Sequence, residues 1–397
     1  MLFRSWEQVP TTSAGTGAGG ALPHWPDVAR VADHVGVEHL LVTRHALVRR
    51  VLTDPGTFRP DNALDAVTPM PVSALRILAA HRFRLPPTLA NNGGASHPEI
   101  RALVADALHP KRVADQRDWL TALVRQRVAG LTADLDAGRP VDLYAGLAAD
   151  LPLLVLARLV ELPDAPVTAV KTFARAALEL FWAPLDVDRQ QQLAVEVGRF
   201  HRVLREFAAT GGGLAGALRA AGHPPDVVVG ALFFLLVAGQ ETTSQFLTLL
   251  MHRLVGEPAV LAGLRDGSVA VADVVEEGLR LEPPIVTWRR VATVDTTLGG
   301  TAVSAGSSVV LWLARAGRDP AVVDAPDEFR PGQRGSRRHL AFGAGAHRCV
   351  GDQLARMEAA TVVTEVAPLL AGVRVLRAPW YPDNLTFRMP DTFVVRR

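Results

Sequence analysis

The sequence predicts a mainly α-helical domain carrying a small β-rich lobe. Three observations support that reading. Helical periodicity dominates from Glu99 to Leu281, β-forming segments are confined to two places, and no internal repeat or long linker follows about residue 20. In chain order, residues 1–24 are a polar, glycine-rich segment expected to be flexible, without the charged start and apolar core of a signal peptide. Residues 25–397 then form one domain. Glu38-His39-Leu40-Leu41-Val42 reads as extended, and Asn91-Asn92-Gly93-Gly94 as a loop. Trp119 to Leu135 is helical, and Gly211-Gly212-Gly213 interrupts the helical run. Asp226 to Leu254 resumes it, and from Val227 onward is too apolar for a surface helix, so it belongs in the middle of the fold. Val291 to Val310 is the second extended region, punctuated by Gly299-Gly300 and Ala305-Gly306, and Asp352 to Glu358 opens a last helix.

With 49% hydrophobic residues in 397, a large core is available. The net charge is only +2, and Lys111 and Lys171 are the sole lysines among 42 basic residues. No arginine block interleaves with aromatics, so nucleic acid is not an expected partner. The longest apolar stretch, Val227 to Gly239, falls short of the roughly 20 residues needed to span a bilayer, so no membrane association is expected. One cysteine and no export signal point to a cytoplasmic protein, and a monomer is expected.

Chemistry concentrates in Phe342-Gly343-Ala344-Gly345-Ala346-His347-Arg348-Cys349-Val350-Gly351, which holds the only cysteine. Taken alone, Cys349 reads as a small buried hydrophobe. Its neighbours argue otherwise. The glycines let the backbone turn tightly and approach a bulky flat group, and the helix that follows puts Cys349 at a helix N-terminus. There, free N–H groups and the helix dipole favour the thiolate. A thiolate so held is a soft, electron-donating ligand suited to haem iron.

The segment resembles the haem-binding loop of the cytochrome P450 family, matching Phe-Gly-x-Gly-x-His-x-Cys-x-Gly at every fixed position. The resemblance covers roughly residue 25 to the end and implies the cytochrome P450 fold. Within the apolar helix, Ala238-Gly239-Gln240-Glu241-Thr242 matches the family's oxygen-activation motif. An acid and an alcohol in an apolar helix are costly unless satisfied, and the plain structural alternative has Thr242 bonding to a carbonyl one turn back. The resemblance implies instead that Glu241 and Thr242 deliver protons. It implies a buried clamp from Glu277 and Arg280, with Arg334 standing one residue later than the family's third partner. His97 and Arg101, one turn apart, with Arg290 and His347, match the residues that hold haem propionates, His339 being a further candidate. Phe342, Gly343 and Ala238 would border the ring. The sequence departs from the family at Ser304, Gly317 and Leu108-His109-Pro110, positions that shape loops.

The function implied is monooxygenation of a small organic substrate, free or carrier-bound, in bacterial secondary metabolism. Haem b would be held without thioether bonds, because no Cys-x-x-Cys-His occurs, and dioxygen is the co-substrate. Electrons would come from a ferredoxin and its reductase, with Arg112, Arg348 and Arg356 as candidate docking residues. Oxidative aryl coupling, a peroxide-driven peroxygenase and a non-catalytic carrier-binding protein are the alternatives. Family analogy puts substrate between Phe58 and Gly94, from Phe173 to Phe200, at Ile285-Val286-Thr287 and near Trp380-Tyr381. Phe181, Trp182, Val237, Ile285 and Val286 suggest an apolar pocket there, and Arg82 and Arg84 suggest an anionic group.

Overall fold

A computed structural model describes residues 26–162 and 167–397. The expected segment 1–24 lies outside the described residues. Helices dominate, as the periodicity requires, and the expected Trp119–Leu135 helix runs from Arg117 to Asp136. The apolar pattern of residues 226–254 forms two successive helices, Pro225–Ala238 and Glu241–Val255, buried among the others. Their junction is at Gly239-Gln240. A Cβ at Gly239 would come within 2.7 Å of the Leu235 carbonyl and 3.1 Å of Leu156, so only glycine lets the chain turn there undisturbed.

The β lobe is more extensive than the sequence suggests. Glu38–Val42 is a strand as expected, and residues 291–310 contribute parts of Thr287–Ala292, Thr296–Leu298, Thr301–Val303 and Ser308–Trp312. Five further strands depart from the expectation of two extended regions: Val28–Ala32, Phe58–Arg59, Val141–Asp142, Arg374–Arg377 and Val394–Arg396. Each is five residues or fewer, which leaves little local pattern to read, and all but Val28–Ala32, the local partner of Glu38–Val42, pair with strands further away along the chain.

The main sheet runs Val28–Ala32, Glu38–Val42, Ser308–Trp312, Thr287–Ala292, Phe58–Arg59. Leu41 pairs in parallel with Val310, and Val309 pairs antiparallel with Arg290. This register fixes Arg290 on a central strand. The Thr296–Leu298 and Thr301–Val303 hairpin turns through Gly299 and Gly300, whose φ angles of 55° and 81° favour glycine. The last long helix, Asp352–Leu370, packs against Arg117–Asp136, Glu241–Val255 and Val271–Leu281. That packing brings the cysteine loop at its start up to the helix junction.

Candidate active site

Between the cysteine loop and the Gly239 junction lies a cavity of about 1470 Å³, counting its open mouth. The loop is drawn into shape by its own backbone. Cys349 N–H donates to the Phe342 carbonyl at 2.8 Å, and Gly343 and Gly345 adopt φ of 67° and 70°. A Cβ at Gly345 would also approach the Leu52 carbonyl to 2.5 Å. Cys349 faces the cavity, its exposed surface opening inward with protein on every other side.

The expectation of a thiolate stabilised by the helix alone is corrected here. Cys349 precedes the first residue of the Asp352–Leu370 helix by three positions. Burial is the largest influence and pushes its thiol up, aided by Asp352. A hydrogen bond from the Gly351 backbone and the charges of Arg101 and Arg348 act the other way without overcoming it.

At the cavity edge, four basic residues from three elements converge. The rings of His97 and His347 stack with centroids 4.1 Å apart, and His347 Nε2–H donates to the Asn92 carbonyl at 2.9 Å. Arg101 Nη2 donates to the Arg348 carbonyl at 2.7 Å, tying its helix to the cysteine loop, and Arg290 Nη1 donates to the Arg289 carbonyl. Burial pushes Arg290 down to about 10. Burial also pushes His347 down to about 4, assisted by the charges of His97, Arg290 and Arg101 and opposed by the Asn92 carbonyl. His97 is likewise lowered by burial and then by Arg101. No carboxylate figures among these influences. Arg101 and Arg290 are the cations of this cluster, beside two stacked imidazoles whose protonation burial disfavours.

Across the cavity stand Val237, Ala238, Gly239, Thr242 and Thr243. Thr242 Oγ1 donates to the Ala238 carbonyl at 2.7 Å, the bond of the plain structural alternative, while its side of the helix lines the cavity. Glu241 does not line it. The carboxylate is fully buried on another side, ion-paired through Oε1 with Lys171, with Gln240 Nε2 donating to it at 3.2 Å and Arg175 3.9 Å away. Burial pushes Lys171 down against the opposing pull of Glu241. The sequence reading missed Lys171, although being one of two lysines in so arginine-rich a chain was a usable signal.

The Glu277 and Arg280 pair is buried and bidentate, at 2.8 and 2.7 Å. Gln333 Nε2 at 2.6 Å, Ser336 Oγ at 2.7 Å and the Arg330 N–H at 2.9 Å complete the carboxylate's donors. Gln333, one residue before Arg334, fills the place of the expected third partner, and Arg334 makes no contact with the pair. Gly317 is also drawn in. Its carbonyl accepts from Arg280 at 3.1 Å, and a Cβ there would meet the Arg280 carbonyl at 2.6 Å. His339 faces Glu276 at 3.2 Å and is not among the cavity residues, which removes it from the anion site.

The chain matches the cytochrome P450 family model over residues 225–366. It is 31% identical to the nocardicin C N-oxygenase of Nocardia uniformis subsp. tsuyamanensis, over 90% of this chain and 89% of that protein. It is also 31% identical to the cytochrome P-450 monooxygenase DoxA of Streptomyces sp. strain C5, over 81% and 79%. The chain belongs to the cytochrome P450 family. Among solved structures, cytochrome P450 CREJ in complex with (4-ethylphenyl) dihydrogen phosphate superposes with a TM-score of 0.85 at 27% identity, covering 90% of this chain and 91% of that one.

As a cytochrome P450 monooxygenase, the protein is an oxidoreductase that uses haem iron and dioxygen. The cavity fits that cofactor: a lone inward-facing thiol, a loop turned by two left-handed glycines, and two guanidiniums with two imidazoles and no carboxylate beside them. Phe342, Gly343 and Ala238 all border it, as the sequence suggests.

The residues expected to contact substrate lie only partly on the cavity wall. Val237, Ile285 and Trp182 line the cavity. Phe181 does not; it packs behind the wall against Phe83, Trp182 and Phe233. Val286 belongs to a small separate core with Leu41, Val310 and Trp312, because alternate residues of an extended segment face opposite ways. Trp380 is exposed at 61%, and Phe387 with Trp288 takes the place foreseen for the C-terminal region. No local signal marked either aromatic.

Proposed function

We propose that this cytochrome P450 holds haem b non-covalently, with Cys349 as the iron ligand and His97, Arg101, Arg290 and His347 binding the propionates. The observation that carries the reading is the convergence of one thiol, two guanidiniums and two stacked imidazoles, without a carboxylate, on a single apolar cavity. When bound, haem supplies the redox chemistry that activates dioxygen. The chain's residues do the rest. Cys349 would hold the iron as a thiolate, an ionisation that metal binding would favour and burial alone opposes. Ala238 and Gly239 leave room for a small ligand against the helix.

Thr242 Oγ1 holds a proton at the cavity wall, and Glu241, buried on another side of the helix in an ion pair with Lys171, would resupply it only on leaving that pair. Ile285, Val237, Trp182 and Phe387 exclude water and select an apolar organic substrate. Residues 25–397 act as one domain, and a ferredoxin with its reductase delivers electrons. Of the proposed docking residues, Arg348 remains exposed, whereas Arg356 is half-buried and tied to Glu276 and Asp352.

Purified protein should bind haem and give the thiolate-type spectrum when reduced under carbon monoxide. Cys349→Ser should lose it, and an unchanged spectrum would overturn the assignment. Thr242→Val should keep the spectrum while slowing NADPH- and ferredoxin-driven product formation by about 100-fold.

A further inference from the structure

A second cleft, away from the cavity, is lined by charge that monooxygenation does not use. It holds about 1140 Å³, counting its open mouth, where the end of the Val72–Ala80 helix meets the later part of the Val187–Thr210 helix and the start of Pro225–Ala238. Five cations or potential cations line it, His81, Arg82, Arg202, Arg205 and Arg219, against Glu206 and Asp226. Two of these charges are already engaged. Arg219 donates to the Ala208 and Gly211 carbonyls at 2.6 Å each, and Asp226 lies 3.8 Å from Arg84. Arg82, Arg202 and Arg205 make no side-chain hydrogen bond or ion pair among the described residues. Three free guanidiniums facing one free carboxylate, in a concave wall, focus a positive potential.

Arg82 adds an independent observation. The Phe83 N–H closes back to the Leu78 carbonyl at 3.0 Å and ends the helix, leaving Arg82 at φ 54°. This is the position at which a helix end most often takes glycine, and an L side chain there is strained. The chain carries that cost and holds a guanidinium at the cleft edge. From there the backbone leads directly to the active site. Pro86 and Thr88 pack on Gly230, where an added Cβ would come within 3.3 and 3.1 Å of them, and Leu89 and Ala90 line the cavity.

We propose that this cleft binds a phosphate-type oxyanion, free or as a phosphate ester, and that its occupancy orders the 81–90 segment that walls the cavity. Guanidinium forks match tetrahedral oxyanions in geometry as well as charge. The concave wall suits a small charged group rather than a flat macromolecular face.

The test is calorimetric titration of the haem-loaded enzyme with inorganic pyrophosphate at low salt, with hydrogen exchange measured in parallel. One-to-one binding that weakens with added salt is expected, with slowed exchange over residues 81–90 and the start of the Pro225–Ala238 helix. R82Q/R202Q/R205Q should bind at least tenfold more weakly with an unchanged haem spectrum, and R82K/R202K/R205K, which keeps the charge but loses the forks, should fall between it and the parent. Should the triple variant express poorly, R202Q and R205Q should each weaken binding about threefold. Arg82→Gly should bind more weakly while unfolding at higher temperature. Absence of binding, equal affinity in the glutamine variants, or protection confined to other regions would each overturn the proposal.

Discussion

The Glu277 carboxylate and the Arg290 guanidinium are both buried, yet their surroundings are opposites. Glu277 receives five hydrogen bonds at 2.6 to 2.9 Å from Arg280, Gln333, Ser336 and the Arg330 backbone. Burial works to raise its carboxyl, but Arg280 and the other donors outweigh that and hold it below the usual range. Arg290 has one backbone carbonyl, two histidines and an arginine nearby, and burial alone shifts it. A buried charge that is fully matched belongs to the scaffold; one left unmatched at a cavity marks where a ligand's charge belongs.

The largest effect expected from this contrast is on the clamp. Arg280→Ala leaves Glu277 buried without its cation and should destabilise the protein by about 3–5 kcal/mol. Urea unfolding would register this, and a loss below about 1 kcal/mol would mean the neutral donors suffice. Gln333→Ala should cost less, about 1–2 kcal/mol, because it removes a neutral donor from an ion that keeps its guanidinium.

Arg290→Leu sharpens the comparison because its two effects should have opposite signs. Removing an unmatched buried cation should leave the haem-free protein equally or more stable. Haem dissociation should nevertheless accelerate at least tenfold, equivalent to about 1.4 kcal/mol of lost cofactor affinity. Transfer of haem to an apo-globin acceptor measures that rate. If stability and haem retention fell together, Arg290 would be a structural residue like Arg280.

The two clusters were unequally legible in the sequence. Cys349 and its glycines lie within ten consecutive residues, and the Ala238–Thr242 motif within five, so local spacing carried their chemistry. Glu277 and Arg280 share one helix turn, but that spacing is weak by itself, and their position between the two motifs identified them only through the family resemblance. The remaining clamp donors were not legible, because Gln333 and Ser336 reach Glu277 only through tertiary folding and have no period of their own. Lys171, Trp288 and Phe387 were hidden for the same reason. The short strands Phe58–Arg59 and Val394–Arg396 take their extended form from partners far away in sequence. Phe181 and Val286 were misassigned on hydrophobicity, which identifies buried residues but not the face they turn to a cavity.

Two further carboxylates extend the comparison to pH. Glu358, on the helix that follows the cysteine, is fully buried with neither oxygen hydrogen-bonded among the described residues, and burial raises it well above the usual range. It is therefore held protonated in the folded state while it ionises in the unfolded chain, so its contribution falls as pH rises through about 4.5 and beyond. Glu358→Gln should remove this penalty and stabilise the protein at neutral pH by roughly 1–3 kcal/mol. Glu276 has the opposite sign. Burial would raise it, but His339 at 3.2 Å and Arg356 at 2.5 Å hold it near 2. Its folded pKa lies below its unfolded value of about 4.5, so its contribution is present above that pH and is lost as pH falls toward 2. Glu276→Gln should flatten the acid limb of the unfolding midpoint against pH, the smallest of these effects, and leave the neutral-pH rise produced by Glu358→Gln intact. If both variants moved the midpoint in the same direction at every pH, pairing would not be what separates the two carboxylates.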